Sequence, residues 1–372
     1  MIPETQKKIL VGVLVFLLIT TGVLFFGVIR LEQTAVTETP VTPTPEPETE
    51  ISPTTTPSNI QRGSSPFAAH GRLHVSGSLL LDRYDEVIQL LGISSHNLSL
   101  HPEFLNEETL RYIRDEWGVN LIRLANYTEF FGSGYCDGGS KEEIHDIIEN
   151  TVRIANRLGM YVILDWHTLT DGNPFNYLKE SMDFFGRYAS LYRNRDNIIY
   201  EICNEPNGDT TWDDIRYYAD RIIPLIREQD PDAIILVAPA AYTTDLDSVA
   251  ANPLPYENIM YTTHFYAGSH KQKNRDTVLR ALDAGLPLFI SECNITEASW
   301  ENGKVDVEQG ELWFDLIDSH ELSYAVWSLS DVDEVFSFFR PGTEKRSRFT
   351  EEDLSEAGLW NVNHFIQRSS AS

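Results

Sequence analysis

Between residues 85 and 330, short apolar or β-branched runs alternate with longer amphipathic stretches. The runs fall at 87–91, 120–123, 161–164, 198–202, 234–237, 259–262, 288–290 and 324–327. Helical patterning is clearest over 141–158 and 214–229, the second closed by the stop signal Asp230-Pro231-Asp232. Eight short strands separated by helices within about 250 residues predict an α/β fold, a (β/α)8 TIM barrel. An open doubly wound sheet would want a glycine-rich phosphate loop after an early strand. Gly92-Ile93-Ser94-Ser95-His96 does not supply one.

Two segments of different character come first. Residues 9–29 form an apolar run of 21, long enough as a helix to cross a ~30 Å hydrocarbon core. Lys7 and Lys8 precede it, which predicts a cytoplasmic stub and an outward-facing remainder. A cleaved signal peptide, with secretion, is the alternative. It calls for a shorter apolar core and a small-residue cleavage site, whereas this run ends in Val28-Ile29-Arg30-Leu31-Glu32. Beyond it, Pro40, Pro43, Pro45, Pro47, Pro53 and Pro57 alternate with Thr and Glu, without an aromatic residue. So little apolar surface cannot offset ordering entropy, and the stretch reads as a disordered, extended stalk. The expected organisation is a stub and signal-anchor transmembrane helix over 1–32 and a Pro/Thr/Glu-rich linker over 33–66. A monomeric globular domain over 67–372 follows, held outside the cell by its membrane anchor.

Composition then narrows the function. At 42% hydrophobic residues the 372-residue chain is too apolar to be disordered throughout, and 3 cysteines cannot staple it. The net charge is −27, from 56 acidic against 29 basic side chains. Residues 1–66 hold only 6 and 4 of these, so the acidity belongs to the globular part. Such a surface repels phosphate backbones, and no basic stripe relieves it, which disfavours a nucleic-acid partner. A solvated acidic shell serves solubility; adaptation to salt, which screens carboxylates, is the sharper reading.

In a barrel, functional groups sit where strands run out at the carboxyl face. The run at 198–202 ends in Cys203-Asn204-Glu205-Pro206-Asn207-Gly208, and that at 288–290 in Ser291-Glu292-Cys293-Asn294. Two carboxylates facing each other across a pocket suit glycosidic bond cleavage. One is protonated to serve the leaving oxygen, and the other ionised to attack or to activate water. Two unrelated acids on the rim would leave the same sequence signal. No H-x-H or H-E-x-x-H spacing points to a metal, and no cofactor is implied.

These motifs are joined, in order, by Gly92–His96, Asp165-Trp166-His167, His264-Phe265-Tyr266-Ala267-Gly268-Ser269-His270 and Trp327-Ser328-Leu329. The set resembles the glycoside hydrolase family 5 endoglucanases, in particular the bacterial endo-β-1,4-glucanase (cellulase) branch, from about Gly71 to the C-terminus. The resemblance implies an endo-acting, retaining hydrolase of β-glucan that uses two glutamates in a double displacement. Glu205 matches the acid/base position and Glu292 the nucleophile. Arg123 matches an arginine beside the nucleophile, Tyr266 a phenol that holds it, and Asn204 the partner of the sugar 2-hydroxyl. His96, His167 and His264 match donors around the same sugar, Tyr127 another sugar contact, and Trp327 the platform beneath. Trp212 matches, less closely, an aromatic on the leaving-group side; ordinary packing at the start of a helix is its alternative.

The chain also departs from that pattern. Cys293-Asn294 stands where relatives usually read Trp-Gly, Leu100 where they place a stacking tryptophan, and Ser330-Asp331-Val332-Asp333-Glu334 lacks their lysine. Weaker distal subsites follow, with mixed-linkage glucan or mannan as alternative substrates to cellulose. A non-catalytic glycan-binding barrel is a further alternative, opposed by the presence of both glutamates and Asn204. No pairing can be deduced for Cys136, Cys203 and Cys293. The glycosylation sequons at Asn97, Asn126 and Asn294 lie near predicted active-site strand ends and read as chance.

Overall fold

In a computed structural model, residues 65–299 and 302–371 are described. The anchor and stalk expected over 1–32 and 33–66 lie outside them, apart from Ser65 and Pro66. Among the described residues no helix is long and apolar enough to cross a membrane. The first described helix, Pro66–His70, is capped by the Ser65 hydroxyl.

Eight parallel strands close into a barrel. They are β1 (Leu91–Ser95), β2 (Leu121–Tyr127), β3 (Tyr161–His167), β4 (Ile198–Glu201), β5 (Ile234–Val237), β6 (Ile259–Tyr266), β7 (Leu288–Asn294) and β8 (Tyr324–Leu329). Their residues are buried throughout, as in a sheet covered on both faces. The register runs from Gly92 opposite Leu121 to Tyr324 opposite Leu91, which seals the ring.

Around it lie α1 (Glu107–Trp117), α2 (Lys141–Leu158), α3 (Leu178–Tyr192), α4 (Trp212–Gln229), α5 (Leu246–Ala251), α6 (Gln272–Asp283), α7 (Val307–Ser319) and α8 (Glu356–Ala371). The α2 boundaries follow from local chemistry. Ser140 accepts from the Glu143 N–H, acids occupy the first turn, and Gly159 ends the helix at φ 66°, a left-handed position that suits glycine. Its buried stripe of Ile144, Ile148, Val152, Ala155 and Leu158 has the 3–4 residue spacing of an amphipathic helix. The α4 start shows a reciprocal box, with Thr211 and Asp214 each bonding the other's backbone N–H.

The expected first strand at 87–91 is displaced. Its apolar residues Ile88 and Leu90 join Leu73 and Leu80 in a cap over Leu121, Tyr161, Ile163, Ile199, Leu236, Met260 and Phe289 at the barrel floor. The ladder itself begins at Leu91. Gly92 is required there, because a Cβ would meet the Tyr324 carbonyl oxygen at 2.7 Å and the Leu121 side chain at 2.8 Å. The hydrophobic run marked the plug, and the strand that follows is polar because it leads to the site.

Candidate active site

Arg123, on β2, is fully buried in the barrel lumen. Its Nε donates to Glu201 at 2.7 Å, and its Nη2 to Asn204 Oδ1 at 2.6 Å and towards Asp165 at 3.0 Å. Its Nη1 donates to Glu292 Oε2 at 3.2 Å. One guanidinium thus orients groups from β3, β4 and β7. Burial alone would lower the Arg123 pKa, but Asp165, Glu201 and Glu292 more than reverse that and keep it charged. Burial pushes Asp165 up to about 8 and raises Glu201 as well, with Arg123 opposing both.

Glu292, at the end of β7, receives a second hydrogen bond from the Tyr266 hydroxyl at 2.7 Å. Burial, then the Glu292 charge, lifts the Tyr266 phenol far above its ordinary range, so it stays a donor. Glu205 lies just beyond β4, with Oε1 2.9 Å from His264 Nδ1. Burial raises its carboxyl to about 7. One carboxylate oxygen from each glutamate and a nitrogen of His264 lie within 4.8 Å of one another. That matches a retaining pair at about 5–5.5 Å and falls short of the roughly 6.5–9.5 Å of an inverting one.

The proton on His264 can be placed from its neighbours. The Ser291 hydroxyl donates to Glu201 Oε1 at 2.6 Å, and Arg123, which only donates, supplies Glu201's other bonds. Ser291 Oγ therefore accepts from His264 Nε2–H at 2.9 Å. Burial depresses the imidazole to about 4, so it is neutral and its Nδ1 is bare. That nitrogen accepts the carboxyl proton of Glu205. The network presents Glu205 as an acid and Glu292 as a carboxylate.

The wall of the cleft is aromatic. Tyr127, Tyr266, Trp327 and Phe336 form an apolar cluster with Ala125, edged by Phe130, Leu169 and Val335. His167 stacks on Tyr127 at 4.0 Å and on Trp327 at 5.4 Å, while His96 tilts against Trp327 at 5.1 Å. His167 Nδ1 pairs with Asp165 at 2.6 Å and its Nε2 faces the Asn204 amide at 3.3 Å. Asn204, His96, Arg123, Tyr127, His167, His264, Tyr266 and Trp327 are thus gathered round the two glutamates. The Asn294 amide nitrogen donates to the carbonyls of Trp327 and Phe336, so the residue that departs from the family pattern anchors the Trp327 platform. Asn97, Asn126 and Asn294 are all buried, which closes their sequons to glycans, and the three cysteines are free.

One expected residue is elsewhere. Trp212, 5% exposed, packs edge-on to Tyr261 and donates its indole N–H to the Asn252 carbonyl. It is a core residue at the α4 start, because its helix turns it towards the barrel exterior. Tyr242, which the sequence reading missed, borders Glu205 instead. Ala241, Tyr242 and Thr243 are held at φ 55°, 54° and 63°, the Tyr242 N–H bonds the Pro206 carbonyl, and Thr243 Oγ1 accepts from the His264 N–H. Burial, then the Glu205 charge, raises the Tyr242 phenol. Three consecutive non-glycine residues in the left-handed region carry no sequence signal. Glu334 was missed too; its Oε2 is buried, without a hydrogen-bond partner, 3.3 Å from His96 Nε2.

Among the described residues the one trio able to gather round a cation is Glu205, His264 and Glu292. His264 Nδ1 already bonds Glu205 Oε1, Tyr266 already bonds Glu292, and the Arg123 guanidinium 3.2 Å from Glu292 opposes a divalent ion.

Residues 81–333 match the model of the cellulase family, glycosyl hydrolase family 5. The chain is 44% identical over 301 residues to Endoglucanase A of Butyrivibrio fibrisolvens, covering 80% of this chain and 69% of that enzyme. It is 41% identical over 291 residues to an endoglucanase of Clostridium saccharobutylicum, covering 78% and 64%. The chain therefore spans about two thirds of the length of these relatives. Its fold superimposes on the catalytic domain of Thermobifida fusca endoglucanase Cel5A with cellotetraose at a TM-score of 0.77. That match has 29% identity and covers 81% of this chain and 99% of that domain. With the carboxylate pair at the strand ends and a family match over well more than half its length, the chain belongs to glycoside hydrolase family 5, the cellulases.

Proposed function

We propose that the chain is an endo-acting, retaining β-1,4-glucan hydrolase. The approach of Glu205 and Glu292 across one pocket, with opposite protonation enforced by their neighbours, carries this reading. Glu292 attacks the anomeric carbon while Glu205 gives its proton to the leaving oxygen. Esterified Glu292 is neutral, and Glu205, now a carboxylate, takes a proton from the water that releases the sugar. Asn204, fixed by Arg123, stands where it can bond a hydroxyl of the reacting ring, and Trp327 presents an apolar face beneath it. The endoglucanase names of the relatives support a β-1,4-glucan as substrate. Leu100, exposed where a broad stacking face would help, supports a soluble mixed-linkage glucan as a better substrate than crystalline cellulose. The apolar run 9–29 and the proline-rich 33–66 support an extracellular domain on a membrane-anchored stalk.

The test is hydrolysis of an aryl β-cellobioside by the wild type, Glu205→Gln and Glu292→Gln, with a chelator present. The wild type is expected to turn over, and Glu292→Gln to fall by on the order of 10⁴-fold. Glu205→Gln loses about 10²- to 10⁴-fold. Equal rates in all three proteins would refute the mechanism. Rates on carboxymethyl-cellulose, barley-type β-glucan and mannan then rank the substrates.

A further inference from the structure

A ladder of rings leads out of the reaction centre. Trp327 stacks on His167 and His167 on Tyr127; Phe130 meets Tyr127 edge-on at 5.2 Å, and Phe131 meets Phe130 edge-on at 5.1 Å. The ladder ends in solvent, with Phe131 58% exposed. Its backbone sits at φ 49°, where a bulky side chain is costly.

The loop that presents it is stitched down at both ends. Asp137 accepts from the N–H groups of Phe130, Gly132 and Gly134. Glu129 is tied to Tyr177 and Thr170 of the next loop, and the Ser133 carbonyl accepts from Ser99 at 2.6 Å. Beside Ser99, Leu100 is 44% exposed. Two exposed apolar side chains thus stand on joined, preorganised loops, continuous with the aromatic wall of the cleft.

We propose that Phe131, with Leu100, forms a stacking subsite for a pyranose of the same β-glucan chain, beyond the sugar at Glu205 and Glu292. The reading rests on the proposed glucanase activity. A preorganised ring against the apolar face of a sugar excludes water while leaving the hydroxyls exposed. Standing beyond the reacting sugar, such a platform is reached only by the longer chains.

The test compares wild type and Phe131→Gly on cellohexaose and on an aryl β-cellobioside. Glycine adopts the positive φ freely, so the ring is lost without a backbone penalty. We expect kcat/KM on cellohexaose to fall about 3- to 10-fold through KM, with the aryl cellobioside within about twofold of wild type. Phe131→Trp should retain or improve the long-substrate value. In a Glu292→Gln background, Phe131→Gly should weaken cellohexaose binding by calorimetry by the same factor. An equal loss on both substrates, or unchanged cellohexaose kinetics and binding, would overturn the subsite. Failure of wild type on the aryl cellobioside would instead overturn the glucanase reading, and the calorimetric arm would still decide the subsite.

Discussion

The same strands build both ends of the barrel, and the two ends obey opposite chemistry. At the floor, Leu121, Tyr161, Ile163, Ile199, Met260 and Phe289 close on one another beneath the cap of Ile88 and Leu90. Further along the strands, Arg123, Asp165, Glu201 and Glu292 fill the lumen with at most 6% of any side chain exposed. Burial stabilises the floor without regard to direction, at roughly 25 cal/mol per Å². At the mouth, burial works against every charge, and directed hydrogen bonds, chiefly from one cation and helped by Tyr266 and Ser291, offset it. The difference teaches that the mouth is set by polarity and is held in place by the rest of the fold.

Removing that cation should have the largest effect. Arg123→Leu leaves Glu201 and Glu292 buried without a counter-charge, which should cost about 3–5 kcal/mol and abolish measurable hydrolysis. The sign with pH follows. Without the guanidinium that opposes it, burial raises the Asp165 and Glu201 carboxyls further above their unfolded values, so the folded variant binds more protons than wild type. Stability is then present below the ordinary carboxylate range and is lost as pH rises. Thermal melts from pH 4 to pH 8 should show the gap between variant and wild type widening. A constant gap would break the contrast.

The floor should respond differently. Phe289→Ala removes a fully buried ring from the plug and should cost about 3 kcal/mol, equally at pH 4 and pH 8. Below its lowered melting temperature kcat should stay close to wild type, because that ring packs within the apolar floor cluster. A pH-dependent loss or a collapse of kcat in the folded variant would show that the two ends are not separable.

The same division decided what the sequence could reveal. Strand-end glutamates were legible because mainly apolar runs on β4 and β7 lead into Asn204-Glu205 and Ser291-Glu292. The helical pattern over 141–158 coincides with α2, whose serine cap and Gly159 set those limits. The first strand was misplaced by four residues because the strongest apolar run there belongs to the floor cap, whose periodicity mimics a strand. Trp212 stayed open between a sugar contact and helix-start packing because proximity to Glu205 in sequence says nothing of which face of α4 it takes, and the structure gives it the packing role. Tyr242 lay hidden in a left-handed turn that only tertiary contacts enforce. Glu201 and Asp165 stood inside runs and motifs already read, but their pairing with Arg123 crosses from one strand to another and left no local signal.

The smallest change tests the mouth most finely. The Ser291 hydroxyl bonds His264 and Glu201, and it fixes the His264 tautomer by giving its own proton to Glu201. With Glu205 raised to about 7 by burial, its acid form is lost as pH climbs through that value, so wild-type kcat/KM should decline above about pH 7. In Ser291→Ala nothing holds the imidazole proton on Nε2. His264 is then free to donate from Nδ1 to the Glu205 carboxylate, a bond that favours the ionised form and lowers the Glu205 pKa. The alkaline limb should shift down by about one pH unit, the equivalent of one hydrogen bond of roughly 1.4 kcal/mol. Below pH 6, where Glu205 is protonated in either tautomer, kcat should remain within about threefold of wild type. Ser291→Thr, which restores a hydroxyl, should bring the limb back. An unmoved limb in Ser291→Ala would mean that the Glu205 proton is set by desolvation alone, leaving His264 a spectator of the charge it touches.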